Sequence, residues 1–328
     1  LGTDLPTWQR LDWQGATFTF PHNFLPQLED EPTTTVSEAL DSVGQTVAAF
    51  LRGIEYQPPV RPEPQRFYLL DEVTRHAWQS QGWAAFIDFL AGNQLGTPTA
   101  DKIDTWLKSL DLGLEIPHPV QYTSKETIVS LITIQEQEDK PPINLKNTGY
   151  GASQVIPIII QSVTARQRVK GNTPVSVIIE QPELHLHPHA QAQLTDLFVN
   201  EIYTIDPRKV DEISEIPIKG YREHSGVNFL LETHSEHLFL RLRRRIAETT
   251  IGKHTKLTDS EQNLFLLTND LAGYFINREH GNASSSSEEM VLDNYGDLLE
   301  PPTGFEGFFS DDLRETLAIT RAKLESAE

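Results

Sequence analysis

The sequence contains no cysteine and only one methionine among its 328 residues. Without cysteine there can be no disulfide bonds and no thiolate metal sites. Long hydrophobic runs are also missing, since none approaches the length of a membrane-spanning helix, and the sequence shows no signal-peptide pattern at its start. We therefore expect a cytoplasmic protein without membrane contact.

Positive charge is scarce as well. Lys and Arg number 27 against 47 Asp and Glu, which gives a net charge of −20. This balance disfavours broad contact with a nucleic-acid backbone, although it leaves room for a local basic groove. The one concentrated cationic run is Arg241, Arg243, Arg244 and Arg245. We interpret it as part of a helix that offers cations to the helix dipole and to acidic neighbours, with a phosphate-binding track as the alternative.

A phosphate-binding loop is the third absence. In the pattern G-x-x-x-x-G-K-[ST], backbone N–H groups cradle phosphates and a lysine reaches the terminal ones. The pattern does not occur here, and Gly252-Lys253-His254 lacks the partner glycine. The sequence alone therefore has no such cradle.

The most informative stretch that is present runs from Val175 to Pro188 and reads VSVIIEQPELHLHP. Its β-branched run predicts a buried parallel strand, and Glu180, Gln181 and Glu183 follow at the C-terminal end. Open α/β sheets bind ligands at this end of their strands, where an exposed carboxylate can meet a hydrated metal ion. The alternative is a core strand that ends in a solvated acidic loop.

Two further stretches have related patterns. Residues 228–235, NFLLETHS, predict a second apolar strand with a polar tip. Residues 147–154, NTGYGASQ, form a glycine-spaced turn that opens into an apolar run from Val155 to Val163.

In this order, the three stretches resemble the second half of an ABC-type ATPase head, as found in the SMC, Rad50 and OLD-like proteins. They look closest to a group of predicted bacterial AAA ATPases with a C-terminal extension of unknown role, on the segments EQPELHLHP, GYGASQ and ETHSEHL. The likeness extends to YQPPVR at 56–61 and GFEGFF at 304–309. The resemblance therefore covers most of the chain.

The resemblance implies an α/β fold, namely the C-terminal part of an ABC-type P-loop ATPase head with a helical lobe and a small β-rich C-terminal extension. We expect a connector and helical lobe in 1–120, the ATPase core in 121–250, and the extension in 251–328. In such heads the phosphate-binding loop lies upstream of all these motifs. We therefore expect the first half of the head to be missing from this sequence, disordered, or carried on another polypeptide.

The resemblance also assigns roles to residues. Glu180 takes the place of the Walker B aspartate and would hold Mg²⁺ or its water. His234 would contact the terminal phosphate of ATP as the switch histidine. The turn at 147–154 would be the signature loop, which faces the phosphate held by the opposite subunit, with Ser153 as the expected donor. Its expected nucleotide-binding residues are Gly149, Gly151, Ser153 and Gln154.

The residue after Glu180 departs from the usual pattern. ABC-type heads normally carry a glutamate as general base there, and the amide of Gln181 cannot accept a proton at neutral pH. Two accounts stay open. Either Gln181 only positions water while Glu183 or another group assists, or turnover is slow and ATP acts mainly as a clamp between subunits.

The remaining polar residues allow two interpretations each. His185, His187 and His189 alternate within and after the segment 184–188, which the resemblance assigns to the D-loop. Their spacing does not suit ligands on one helix face, so we prefer subunit contacts to a structural metal site. In the proline-rich connector from 56 to 68, we expect Arg61 and Arg66 to be surface arginines that pair with the acidic surplus. In the extension we expect short strands at 264–267, 273–276 and 290–292.

The predicted function is an ATP-binding and ATP-hydrolysing subunit whose ATP-driven dimerisation regulates a partner, in anti-phage defence or DNA repair. Its cofactors would be ATP and Mg²⁺. Its partners would be a second copy of itself, in a homodimer or higher oligomer joined through head-to-head ATP sites, and a nuclease or other effector. The alternative is a non-catalytic scaffold that retains half of an ATPase head.

Overall fold

The computed structural model describes residues 8–13, 16–21, 44–69, 84–91, 97–110, 120–124, 127–131, 133–134, 141–171, 173–205, 222–251, 264–278, 285–303 and 305. The described helices are α1 (44–52), α2 (Ala84–Ala91), α3 (Pro98–Ser109), α4 (Tyr150–Arg168), α5 (Pro188–Ile202) and α6 (Glu236–Thr250). Short 3₁₀ turns lie at Leu145–Asn147 and Thr268–Asp270.

The strands fall into one parallel sheet and several antiparallel pairs. In chain order they are β1 (Trp8–Trp13), β2 (Ala16–Pro21), β3 (Ile54–Gln57), β4 (Tyr68–Leu69), β5 (Val120–Ser124), β6 (Thr127–Leu131), β7 (Thr133–Ile134), β8 (Ile143–Asn144), β9 (Val175–Glu180), β10 (Tyr203–Ile205), β11 (Arg222–His224), β12 (Val227–Glu232), β13 (Gly273–Asn277) and β14 (Ser286–Met290). The parallel sheet has the order β12-β9-β3.

The strand β9 is the centre of this parallel sheet, which confirms the predicted parallel strand. It pairs with β12 from Val175 to Glu180 and with β3 on its other side. Because β3 lies in the segment expected to be a connector, that segment contributes a strand to the core sheet. Mixed helices and a parallel sheet are consistent with the α/β class of an AAA ATPase domain.

One face of the sheet packs against helices. Val175, Val177 and Ile179 of β9 are buried and join the main hydrophobic core with α4 and α5. Every residue of α4 from Ala152 to Ala165 is buried, including polar residues such as Gln161 and Thr164, so the helix is enclosed on all sides. The helices α2 and α3 pack on α4 from outside, through residues such as Trp106. Helices therefore occur in the segment expected to form a helical lobe, and the lobe as a separate unit stays a prediction.

The opposite face of the sheet is only partly covered. Tyr56, Ile178 and Leu230 lie side by side across the three strands. Tyr56 is 48% exposed and Leu230 is 63% exposed. A parallel sheet is normally buried on both faces, so this row of apolar side chains is unusual. Glu180 projects to the same side as Ile178, since alternate residues of a strand share a face.

The extension packs on α5 and α6 through a second, smaller core. Phe239 and Ile246 of α6 meet Leu266, Leu292 and Phe305 there. The hairpin of β13 and β14 confirms the strand expected at 273–276.

The other two predicted strands of the extension are wrong. Residues 264–267 are extended without pairing to another strand: the backbone N–H of Leu266 donates to Thr249 Oγ1 at 3.1 Å and that of Leu267 to Asp270 Oδ2 at 2.7 Å. The strand expected at 290–292 lies earlier in the chain, at β14.

Among the described helices, none combines the length and the apolar character needed to cross a membrane.

Candidate functional site

The candidate site is built around the C-terminal end of β9. The chain leaves the strand through Gln181, which has a left-handed φ of 44°. A non-glycine residue in this region costs on the order of 1 kcal/mol or more, and such strain persists only where the surroundings enforce it. Here the backbone N–H of Gln181 donates to the carbonyl of Glu232 at 2.8 Å. The residue after the strand is therefore locked to the end of β12.

Glu180 is the last residue of β9 and is half-buried. Its nearest titratable neighbour is Tyr56 on β3, whose hydroxyl hydrogen-bonds to the carboxylate. Partial desolvation and then this contact raise the pKa of Tyr56 above its ordinary value. The carboxylate therefore lies on the less covered face of the sheet, where an incoming ligand can reach it.

Glu183 binds the turn that follows β12. One carboxylate oxygen accepts the hydroxyl of Thr233 at 2.7 Å, and the other accepts the backbone N–H of His234 at 2.8 Å. Both oxygens are therefore engaged in positioning the turn, which speaks against Glu183 as a free general base. This contact could not be read from the sequence, because about fifty residues separate the partners.

The turn itself presents His234 to solvent. The side chain of His234 is 77% exposed, and its Nε2 lies 3.3 Å from Glu232 Oε1. The next residue, Ser235, caps α6 by accepting the backbone N–H of Leu238 at 3.2 Å, a contact worth about 1 kcal/mol. The backbone of the turn is therefore fixed while the imidazole is accessible.

The signature-like segment forms the start of α4. Gly149 is the N-cap, and a side chain there would meet open space. Gly151 has the opposite surroundings, since a Cβ atom would lie 2.6 Å from the carbonyl of His185. The rings of Tyr150 and His185 also stack edge to face, with centroids 4.6 Å apart. The structure thus brings the helix start against the segment assigned to the D-loop.

The two polar side chains in this segment are engaged within the chain. Ser153 is 3% exposed, and its hydroxyl donates to the carbonyl of Tyr150 at 2.7 Å. Gln154 is 1% exposed and forms two hydrogen bonds with the backbone of Arg61. Their expected contact with nucleotide stays a prediction. Beside them lies a pocket of about 150 Å³, lined by Glu63, Pro64, Leu145, Lys146, Thr148, Tyr150 and Ser153.

Arg61 was expected at the surface, and this prediction is wrong. Its side chain is fully buried, at 1% exposure, and one guanidinium nitrogen donates to the carbonyl of Glu180 at 2.9 Å. Burial lowers the pKa of Arg61 to about 10, against an opposing effect of the Glu183 carboxylate. The missed signal is its position, four residues beyond a strand that pairs with β9. Arg66, the other arginine of this connector, lies on the surface, as expected.

The cationic run on α6 meets acidic neighbours, as expected. The expected interaction with the helix dipole is wrong, because no basic residue lies in the last turn of α6. Arg245 pairs with Asp196 and Glu248, Arg244 with Glu248, and Arg243 with Asp297. These residues lie in the middle of α6 and link it to α5 and the extension. The described contacts of the run are therefore structural ion pairs.

The alternating histidines have separate roles in the fold. His187 caps α5, with its Nδ1 accepting the backbone N–H of His189 at 3.4 Å, whereas His185 packs on Tyr150. Across the described residues, no three side chains of the metal-ligating types come together.

Comparison with protein families gives a match over part of the chain. Residues 93–239 match a family model described as an AAA ATPase domain (AAA_15). No curated protein matches the chain. The matched range includes α4, β9, the turn after β9 and His234. It supports an AAA-type ATPase domain in this part of the chain, and with it a general ATPase activity.

Proposed function

We propose that this protein is a subunit of an ABC-type ATPase head that binds and hydrolyses ATP at the C-terminal end of β9. The observation that carries the proposal is the position of Glu180: a half-buried carboxylate at the end of the central parallel strand, beside the turn that presents His234. Parallel sheets bind ligands at this end of their strands. The AAA ATPase match covers both residues.

Glu180 fits a magnesium–nucleotide complex. Mg²⁺ in such sites takes one or two carboxylates and completes its shell with phosphate oxygens and water, so a single protein carboxylate is sufficient. When bound, the ion would neutralise charge on the phosphates. Glu180 would hold it directly or through water, and the exposed imidazole of His234 would donate a hydrogen bond to the terminal phosphate.

Slow hydrolysis follows from the chemistry of Gln181 and Glu183. The amide of Gln181 can orient a water molecule but cannot take its proton. Glu183 uses both oxygens to hold the turn at Thr233 and His234. Of the two accounts left open by the sequence, this geometry favours slow turnover in which bound ATP acts mainly as a clamp.

The phosphate-binding loop must then come from outside these 328 residues. The partly exposed row of Tyr56, Ile178 and Leu230 supports a further layer on the face of the sheet that carries Glu180. We propose that a strand and helix carrying that loop pack there. Because Tyr56 and Leu230 are about half exposed, their burial would contribute about 1 to 2 kcal/mol each.

ATP would join two such heads and so regulate a nuclease or other effector, in anti-phage defence or DNA repair. The support for this step is the resemblance, together with the open surroundings of Gly149 at the start of α4. A non-catalytic scaffold is the competing proposal, and Gln181 in place of a glutamate is the feature that favours it.

The test is nucleotide binding and phosphate release by the complete protein, measured beside the 328-residue chain. We expect the complete protein to bind ATP and release phosphate slowly, and the 328-residue chain to show no turnover because it lacks the phosphate cradle. Robust turnover by the 328-residue chain would show that the site is built differently. Binding of ATP by the complete protein without any turnover would favour the scaffold.

A further inference from the structure

The inference concerns Arg61, which connects three parts of the site. Its guanidinium nitrogen Nη2 donates to the carbonyls of Glu180 at 2.9 Å and Gln181 at 3.4 Å. Its backbone N–H donates to Gln154 Oε1 at 3.2 Å, and its carbonyl accepts from Gln154 Nε2 at 3.3 Å. One residue of the connector thus joins the start of α4 to the end of β9.

The guanidinium group of Arg61 forms fewer hydrogen bonds than expected for a buried arginine that only stabilises the fold. Its side chain is buried, yet among the described residues its Nε and Nη1 atoms have no hydrogen-bond partner. A buried cation that is only partly hydrogen-bonded loses more hydration than it regains. Replacement by an apolar side chain of similar length is then expected to lower stability mainly through the carbonyl of Glu180, which loses this donor.

The backbone that Arg61 holds is the strained part of the site. Gln181 has a positive φ, and its carbonyl is turned towards the guanidinium group and the backbone N–H of Leu184. Loss of the guanidinium group would leave the carbonyl of Glu180 without this donor and release one of the restraints on Gln181. The side chains of Glu180 and Gln181 would then lose their fixed directions.

We propose that Arg61 is a positioning residue for hydrolysis: it orients Glu180 and Gln181 through their backbone carbonyls, and Gln154 holds Arg61 in place. The proposal rests on the proposed ATPase function. It assigns to the connector a part in catalysis without any contact between Arg61 and nucleotide. It also makes the start of α4 and the end of β9 energetically dependent on each other.

The experiment compares variants of the complete protein in kcat, KM and thermal midpoint. Arg61→Met keeps the length of the side chain and removes its donors and charge. We expect kcat to fall by about tenfold or more, with KM changed by less than about threefold. Arg61→Lys retains one charged donor and should recover part of the loss. Arg66→Met, an exposed arginine of the same connector, is the matched control and should leave kcat unchanged.

A double-mutant cycle tests the part played by Gln154. If Gln154 acts through Arg61, Gln154→Leu should lower kcat on its own but add little to Arg61→Met. Equal kcat in Arg61→Met and wild type would overturn the proposal, as would independent, additive losses. If Arg61→Met does not fold, Arg61→Lys and Gln154→Leu still decide the outcome.

A measurement without ATP separates this proposal from the proposed function. Amide hydrogen exchange at Gln181 reports the bond from its N–H to Glu232. We expect faster exchange there in Arg61→Met and unchanged exchange in Arg66→Met. Faster exchange in a protein that shows no turnover would contradict the ATPase function but keep the positioning role. Unchanged exchange would contradict the positioning role whatever the activity.

Discussion

Two buried arginines, Arg245 on α6 and Arg61 in the connector, differ in how their charge is satisfied. Arg245 forms a two-point ion pair with Asp196, with both N–O distances at 2.7 Å, and a further bond to Glu248 at 2.5 Å. All three of its guanidinium nitrogens have partners. Arg61 bonds through one nitrogen only, and to backbone carbonyls. The guanidinium hydrogen bonds of Arg245 are complete within the described fold, and those of Arg61 are not.

The pKa values of the two arginines differ in the same way. Burial alone would lower the pKa of Arg245, but the hydrogen bonds and charges of Asp196 and Glu248 raise it above its ordinary value. The pKa of Arg61 is lowered by burial to about 10. We infer that a fully paired buried charge is part of the scaffold, whereas a poorly paired one at the end of a parallel strand indicates function.

Breaking the complete pair should have the largest effect on stability. Asp196→Ala leaves Arg245 buried without its main partner, and we expect the free energy of unfolding to fall by about 3 to 5 kcal/mol. Chemical denaturation of the complete protein measures it. Asp297→Ala is the control, because Asp297 is 71% exposed in its pair with Arg243, and we expect less than about 1 kcal/mol. Equal losses in the free energy of unfolding in the two variants would contradict the claim that the buried pair of Arg245 stabilises the fold more than an exposed pair does.

At the end of β9, beside the incompletely bonded Arg61, Gln181→Glu should change the rate of ATP hydrolysis. The substitution places a proton acceptor where ABC-type heads have theirs, so we expect hydrolysis to rise by about tenfold or more. The measurement is steady-state phosphate release with ATP affinity determined in parallel. An unchanged or lower rate at equal affinity would show that the base is elsewhere.

Glu183 distinguishes a base from a positioning group. In Glu183→Gln the amide oxygen can still accept the N–H of His234, and the amide nitrogen can donate to the Thr233 hydroxyl instead of accepting from it. We therefore expect a loss of less than about threefold in kcat for Glu183→Gln and a larger loss for Glu183→Ala. A similar large loss in both variants at preserved nucleotide affinity would identify Glu183 as the base.

The smallest expected effect is the pH dependence contributed by Glu248. Burial would raise the pKa of Glu248, but the hydrogen bond from Arg244 and the charge of Arg245 outweigh it, so the pKa lies below its ordinary 4.5. The stabilisation is therefore present above pH 4.5 and is lost as the pH falls through the lowered pKa. We expect the free energy of unfolding to fall less on acidification in Glu248→Gln than in the wild type. The difference should be under about 1 kcal/mol. Identical acid unfolding of wild type and variant would contradict this.

The sequence predicted those features that depend on local pattern. The β-branched run at 175–180 and the polar residues after it located the central strand and its C-terminal end, because strand period and strand termination are local properties. The cationic run at 241–245 was likewise expected on a helix, and it lies on α6.

Features that depend on distant partners could not be predicted. Arg61 is buried because β3 pairs with β9, and Glu183 is engaged because β12 brings Thr233 beside it. Residues 264–267 form an apolar run typical of a strand, but the backbone N–H groups of Leu266 and Leu267 donate to side chains, so the strand assignment was wrong. In each case the missing information was a contact between segments far apart in the chain.

The central claim is that the end of β9 is a catalytic site. The most direct measurement is ATP turnover and thermal midpoint of Glu180→Gln in the complete protein, since this change keeps the size of the side chain and removes its charge. We predict that turnover falls by at least about a hundredfold while the thermal midpoint stays within a few degrees, because Glu180 is half-exposed at a strand end. Undiminished turnover, or a collapse of the thermal midpoint that accounts for the lost activity, would contradict the claim.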